Sequence, residues 1–256
     1  DVLFMDQLVA TVEFEVADEF LEGDATIILP DKTSGIHFVE DDHKESFADV
    51  FEKLNQLIGL NEIKQKVKDH AQYLEFLKIR RSKGFKESER INIHSVFMGN
   101  PGTGKTTVAK MMGQLYRKMG LLSKGHVVEV DRVDLVGEYI GQTAPKAREV
   151  IERARGGVLF IDEAYALART NDDSKDFGRE VIEILIKELS NGKGDIAVIV
   201  AGYPKEMKHF IQSNPGLKSR FKHFFDFSDY LPQELILIAE SAAVNKEITF
   251  TPESFI

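Results

Sequence analysis

Gly99-Asn100-Pro101-Gly102-Thr103-Gly104-Lys105-Thr106 fits the pattern G-x-x-x-x-G-K-[ST], and its setting matters more than the string. The apolar run from Ile91 to Met98 predicts a buried strand ahead of it. Behind it, Val108, Met111, Met112, Leu115 and Met119 recur at helical spacing and predict an amphipathic helix. Strand, glycine-rich turn and helix in that order leave few architectures open. The glycines at 99, 102 and 104 let the backbone turn tightly and aim its N–H groups at one point. The positive end of the following helix adds to that field. Such a cradle suits a phosphate. Lys105 is expected to reach the β- and γ-phosphates of a nucleotide, and the Thr106 hydroxyl to bind Mg²⁺.

A second feature gives the cradle a chemistry. Val158-Leu159-Phe160-Ile161 is an apolar strand that runs into Asp162-Glu163. Alone, such a pair reads as a strand leaving the core for solvent. Beside a phosphate loop it reads otherwise, because ligands of open α/β sheets gather at the carboxyl ends of strands. Asp162 is expected to hold Mg²⁺, largely through its waters, and Glu163 to orient and polarise the attacking water.

The rest of the chain agrees with an α/β fold. Strands are expected at Val127 to Val130, Ile196 to Val200 and Phe224 to Phe227, and helices at Pro145 to Ala154 and along Val181, Ile182, Leu185, Ile186 and Leu189. Nearly continuous apolar strands alternating with helices predict a parallel sheet covered on both faces. Phe51, Leu54, Leu57 and Ile58 lead to Gly59, and Ile63, Val67 and Leu74 follow on a helical period. Residues 1 to about 45 differ. Val2, Leu3, Phe4, Leu8 and Val9 fit one helical face, and Ala25 to Leu29 a short strand. From Leu231 onward the pattern is helical. The chain opens on Asp1 rather than Met, and a piece of a longer protein is expected.

Longer strings narrow the reading. Glu138-Tyr139-Ile140-Gly141-Gln142-Thr143-Ala144-Pro145-Lys146, Gly156-Gly157-Val158 through Ala164-Tyr165, Ala201-Gly202-Tyr203 and Asn214-Pro215-Gly216 resemble the CbbX/SpoVK branch of the AAA+ ATPases. That branch holds the red-type rubisco activases and the stage V sporulation protein K-like proteins. The resemblance runs from about residue 47 to 256. It implies a P-loop NTPase αβα sandwich with a parallel sheet over 46–228, followed by the start of a small helical lid over 229–256. It also implies ATP hydrolysis in a ring, usually a homo-hexamer, with ATP at subunit interfaces. Residues 1–45 lie outside it, and their own pattern, which carries no chemistry, is expected to be the tail of a preceding domain or a linker. ATP contacts are expected from Pro101, Gly102, Thr103, Gly104, Lys105, Thr106 and Thr107, and from the adenine-side turn Leu57-Ile58-Gly59. Tyr139-Ile140-Gly141 matches the pore loop that grips a polypeptide. Arg220 matches the arginine finger given to the neighbouring subunit, although Asp226 and Asp229 offer it ordinary surface ion pairs. Two departures stand out: Gly202-Tyr203 replaces the usual sensor-1 Asn, and the sensor-2 Arg falls beyond Ile256.

Thirty-three basic against forty-two acidic residues give a net charge of −9. That balance, and the lack of an aromatic–basic stretch, argue against a nucleic-acid motor. No apolar run approaches the length of a bilayer span. Without cysteine there is no thiolate zinc site and no cysteine nucleophile, which fits a cytoplasmic protein. The seven His show no paired metal-ligand spacing. The expected function is remodelling of a protein partner by an ATP-driven ring. An ATP-dependent switch or assembly scaffold without threading is the alternative, and rubisco activation ranks lower because residues 1–45 fall outside the resemblance.

Overall fold

A computed structural model describes residues 2–4, 7–13, 26–28, 47–84, 91–137, 139–168, 177–191, 194–244 and 246. The chain divides into two compact units, Asp1–Lys44 and Glu45–Ile256.

In the first unit β1 (Val2–Phe4), β2 (Gln7–Glu13) and β3 (Thr26–Ile28) form an antiparallel sheet in that order. Thr11 faces Ile28, and Leu3 faces Leu8 across a bulge. The helical face expected of Val2 to Val9 is therefore wrong. Val9, Thr11 and Val12 are β-branched, and a pleated strand accommodates them better than a helical turn does. The short strand expected within Ala25 to Leu29 is β3.

The second unit carries β4 (Ser95–Gly99), β5 (Val127–Val130), β6 (Val158–Ile161), β7 (Ala197–Gly202) and β8 (His223–Phe227). They form one parallel sheet in the order β5-β6-β7-β4-β8. The helices are α1 (Phe47–Gln56), α2 (Asn61–Ser82), α3 (Lys105–Lys118), α4 (Arg132–Leu135), α5 (Thr143–Arg153), α6 (Phe177–Asn191), α7 (Pro204–Gln212), α8 (Pro215–Arg220) and α9 (Pro232–Val244).

Successive residues of the central strands enter opposite cores. Val96, Met98, Leu159, Ile161, Val198 and Val200 pack with apolar residues of α5 to α8 such as Val150, Val181, Phe210 and Leu217. Phe97, Phe160, Ile199 and Ala201 pack with residues of α1 to α3 such as Leu54, Val67 and Met112. Two covered faces explain why these strands read as unbroken apolar runs. The edge strands β5 and β8 have one exposed side, and there Glu129 and Asp226 interrupt the run.

β4 starts at Ser95 rather than Ile91 for a local reason. The Val198 N–H donates to His94 Nδ1 at 3.2 Å, so a side chain takes the place of a ladder acceptor. The His94 N–H in turn donates to Asn92 Oδ1 at 2.9 Å. Among the described residues no helix is long and apolar enough to cross a membrane.

Candidate active site

The carboxyl ends of β4 and β6 carry the two sequence motifs, with β7 lying between them. Gly99 closes β4 against edge strand β8. A side chain there would meet the Phe227 carbonyl oxygen at 2.6 Å, so only glycine fits. Gly102 and Gly104 take φ of +77° and +85°. Thr103 Oγ1 donates to the Asn100 carbonyl at 2.8 Å and tightens the turn. Asn100 Nδ2 donates to the Asp229 carboxylate at 2.9 Å, tying the loop to the segment after β8.

Gly104 is the N-cap of α3 and brings no side-chain oxygen, so the first-turn N–H groups face the loop without a side-chain cap. Lys105 is only 8% exposed. Its ammonium donates to the carbonyls of Gly99 at 3.0 Å and Asn100 at 2.7 Å. Burial lowers its pKa, while the Asp162 charge raises it. Uncapped N–H groups and a cation beneath a glycine turn fit an anion such as the phosphates of ATP.

Asp162 and Glu163 follow β6 directly. The Glu163 N–H donates to Asp162 Oδ1 at 3.0 Å. Glu163 sits at φ +45°, a left-handed conformation that costs an ordinary residue roughly 1–2 kcal/mol. Its carbonyl accepts from the Ala166 N–H at 2.8 Å and starts a short 3-10 helix, Ala164–Ala168. The strain thus turns the exposed carboxylate out of the strand direction. Thr106 Oγ1 donates to Glu129 Oε1 of β5 at 3.2 Å. Thr106 and Asp162 supply hard oxygen donors, the class Mg²⁺ prefers. Among the described residues no three His, Asp or Glu form a cage of their own, so an ion there would also need phosphate oxygens.

Gly59 and Leu60 have φ of +65° and +56° and break the chain between α1 and α2. Lys64 Nζ donates to the carbonyls of Leu57 at 2.5 Å and Asn55 at 3.0 Å, satisfying acceptors that the end of α1 leaves open. This turn and the P-loop both meet the start of the helical segment. Tyr230 Oη approaches Gly104, and the Glu234 carboxylate approaches Gly59. Burial, then the Glu234 charge, raises the Tyr230 pKa.

Tyr203 follows Gly202, the last residue of β7, which pairs with Met98, so it leaves the strand between the two motifs next to the end of β4 and becomes the N-cap of α7. Its ring lies 6.2 Å from that of Tyr165, and Gly202 has no Cβ because the Tyr165 ring would meet one at 2.8 Å.

Tyr139 and Ile140 stand clear of this cluster, 68% and 73% exposed. They tip a tight turn in which the Gln142 N–H donates to the Tyr139 carbonyl at 3.2 Å, and Gly141 takes φ +85°. The turn lies between α4, the short helix that follows edge strand β5, and α5. Asn171 to Asp176, expected as a loop after the acidic strand, lie outside the described residues.

Arg220 stands at the opposite end of the sheet. It precedes β8, and its carbonyl accepts from Asn92 Nδ2 at 2.6 Å, just ahead of β4. A five-residue strand, roughly 17 Å, separates it from its own P-loop. The surface ion pairs considered for it are taken elsewhere: Asp226 pairs with Lys66 at 3.1 Å, and Asp229 with Asn100.

Residues 95–229 match the profile of the ATPase family associated with various cellular activities (AAA). The chain belongs to the AAA family of ATPases. Within that family it is 47% identical over 207 residues to protein CbbX of Cereibacter sphaeroides, covering 80% of this chain and 66% of that one. It is 43% identical over 206 residues to stage V sporulation protein K of Bacillus subtilis, covering 80% and 63%. It therefore lies in the CbbX/SpoVK branch, and it spans about two thirds of the length of these relatives. The AAA domain of FIGL-1, solved in complex with ADP, matches 80% of this chain and 62% of its own at a TM-score of 0.50 and 19% identity, a likeness of fold.

In this AAA ATPase the sequence motifs for the P-loop, the acidic pair and the Gly59 turn converge. Sequence reasoning missed Glu129, Tyr230 and Glu234. Glu129 had a signal, a lone carboxylate inside an apolar strand. The other two had none, because their role depends on where α9 folds back.

Proposed function

We propose that this AAA ATPase works as a ring, usually hexameric, in which ATP hydrolysis drives Tyr139-Ile140-Gly141 against a protein partner. The observation that carries the reading is the position of Arg220, at the end of the sheet away from its own P-loop. A guanidinium that cannot reach its own nucleotide suits one held by a neighbour. There its fixed charge would stabilise the charge that develops as the γ-phosphoryl group passes from ADP to water, an effect worth ~10³ to 10⁵ in rate for such fingers in other NTPases.

At each site the backbone N–H groups of Gly102 to Thr107 and the Lys105 ammonium hold the phosphates. Leu57-Ile58-Gly59 packs on the base. Thr106 and Asp162 would hold Mg²⁺, which supplies charge neutralisation between the phosphates when bound. Glu163 accepts the proton of the attacking water. Tyr203 takes the role of the missing sensor-1 Asn, its hydroxyl hydrogen-bonding that water or the γ-phosphate. Its place directly after Gly202, which pairs with Met98 ahead of the P-loop, supports this reading. Exposed Tyr139 and Ile140 offer apolar contact to almost any side chain, which suits a partner recognised without a fixed sequence. The net charge of −9 disfavours nucleic acid as that partner, and the absence of cysteine suits the cytoplasm.

The test is to titrate Arg220→Ala subunits into wild-type protein and follow ATP turnover. Turnover is expected to fall faster than the wild-type fraction, because each altered subunit also disables a neighbour. A fall in simple proportion, with mixing verified by labelled subunits, overturns the shared site and leaves a nucleotide switch that acts one subunit at a time.

A further inference from the structure

The Arg220 guanidinium is held by a set of contacts that a simple surface arginine does not need. Its Nε donates to Ser190 Oγ at 2.7 Å, and Nη1 donates to the Gly216 carbonyl at 3.1 Å and to Ser219 Oγ at 2.9 Å. Ser190 Oγ itself donates to the Ile186 carbonyl at 2.5 Å. One hydroxyl therefore gives its proton to its own helix and its lone pair to the arginine, and turning away breaks both bonds. No carboxylate among the described residues pairs with Arg220, and its Nη2 has no partner there.

The platform beneath explains the Asn-Pro-Gly string. Asn214 caps α8 by accepting the Gly216 N–H on Oδ1 at 2.7 Å, and Pro215 opens the helix. A side chain on Gly216 would meet Ile186 Cδ1 at 2.9 Å, so glycine lets α8 lie directly on α6. Ser190 stands one turn beyond Ile186 on that face. The backbone is pinned separately, by Asn92 on the Arg220 carbonyl. Arg220 is thus fastened through its side chain to α6, the next α-helix after the acidic pair, and through its backbone to the segment that leads into the P-loop strand.

We infer that Ser190 is the positioning residue of Arg220, fixing the plane of the guanidinium so that Nη2 faces the nucleotide of the neighbouring subunit. This rests on the reading of Arg220 as a group acting in trans. An arginine has a long flexible stem, and a charge-assisted hydrogen bond at Nε removes the rotation that would otherwise scatter its outer nitrogens.

Complementation in mixed rings of the full-length protein separates the two ideas. Glu163→Gln subunits donate Arg220 but cannot hydrolyse, and Arg220→Ala subunits hydrolyse only with a donated arginine. Mixing the two is expected to restore turnover. With Glu163→Gln/Ser190→Ala as donor, the restored kcat is expected to be about tenfold lower with an unchanged KM for ATP, and Ser190→Thr is expected to recover it. Equal restoration by donors with and without the serine overturns the positioning role while leaving Arg220 in trans. No restoration by Glu163→Gln alone, in rings shown to mix, overturns the trans reading and this inference with it. If Ser190→Ala melts early, Ser190→Thr and Ser190→Val make the comparison at matched volume. Equal restoration by those two overturns the role of the hydroxyl.

Discussion

The Glu234 carboxylate lies 2.7 Å from the point where a side chain on Gly59 would begin. Its other oxygen accepts the Leu231 N–H at 2.8 Å, which fixes the first turn of α9. Gly59 therefore serves twice, as a left-handed hinge at φ +65° and as the space into which α9 settles.

Gly59→Ala is expected to cost about 1–2 kcal/mol in stability from its dihedral alone. It is also expected to push Glu234 outward and weaken nucleotide binding. Urea midpoints and titration with a fluorescent ADP analogue measure the two effects. Glu234→Ala is expected to recover part of the affinity in the Gly59→Ala background. Strictly additive effects of the two substitutions would remove the contact from the explanation.

Lys105→Ala and Glu163→Gln are expected to separate binding from hydrolysis. The first removes the cation beneath the phosphates, so nucleotide affinity collapses. The second keeps affinity and lowers turnover about 10² to 10⁴-fold, the range of a lost general base. Analogue titration beside phosphate-release kinetics checks both. A Glu163→Gln variant that turns over at the wild-type rate assigns the base elsewhere.

Two histidines predict how stability responds to acid. Burial first, and His223 second, lower the His70 pKa to about 3, and its Nε2 lies 3.0 Å from Tyr116 Oη. Burial, then His223 and Arg220, lower His94 to about 4. Both folded values lie below the ordinary 6.5, so both rings are neutral when folded and charge readily when unfolded. Stability is then whole above about pH 6.5 and falls as acid is added, by about 1.4 kcal/mol per pH unit for each ring. Urea midpoints between pH 7.5 and 5 are expected to drop, and His70→Gln to flatten the slope. A pH-independent midpoint would mean that the rings protonate in place.

Tyr139→Ala is expected to leave ATP turnover within about twofold of wild type and the folding free energy within about 0.5 kcal/mol, because the ring is exposed. Engagement of a polypeptide is expected to be lost. ATP turnover stimulated by an unfolded protein is the readout, and stimulation that survives the substitution removes Tyr139 from the contact.

The sheet and its chemistry were legible because they depend on local order. Val158 to Ile161 must be covered on both faces to be so apolar, and a glycine turn between strand and helix has few other uses. The unit before residue 45 misled a helical reading because Val2, Phe4 and Val9 satisfy two periodicities at once. Ser190 carried no signal at all. Its importance comes from Arg220 folding back thirty residues later in the chain, and no periodicity records such a contact.

The strand that separates β4 from β6 also acts as a ruler. Two backbone ladders, β4 to β7 and β7 to β6, set the span between the glycine turn and the acidic pair at roughly 9.5 Å. That length comes from peptide groups, so exchanging side chains does not stretch it. The exposed tip at Tyr139 can therefore change its side chain without moving either end of that span, and what the molecule grips is decoupled from the spacing of its glycine turn and its acidic pair.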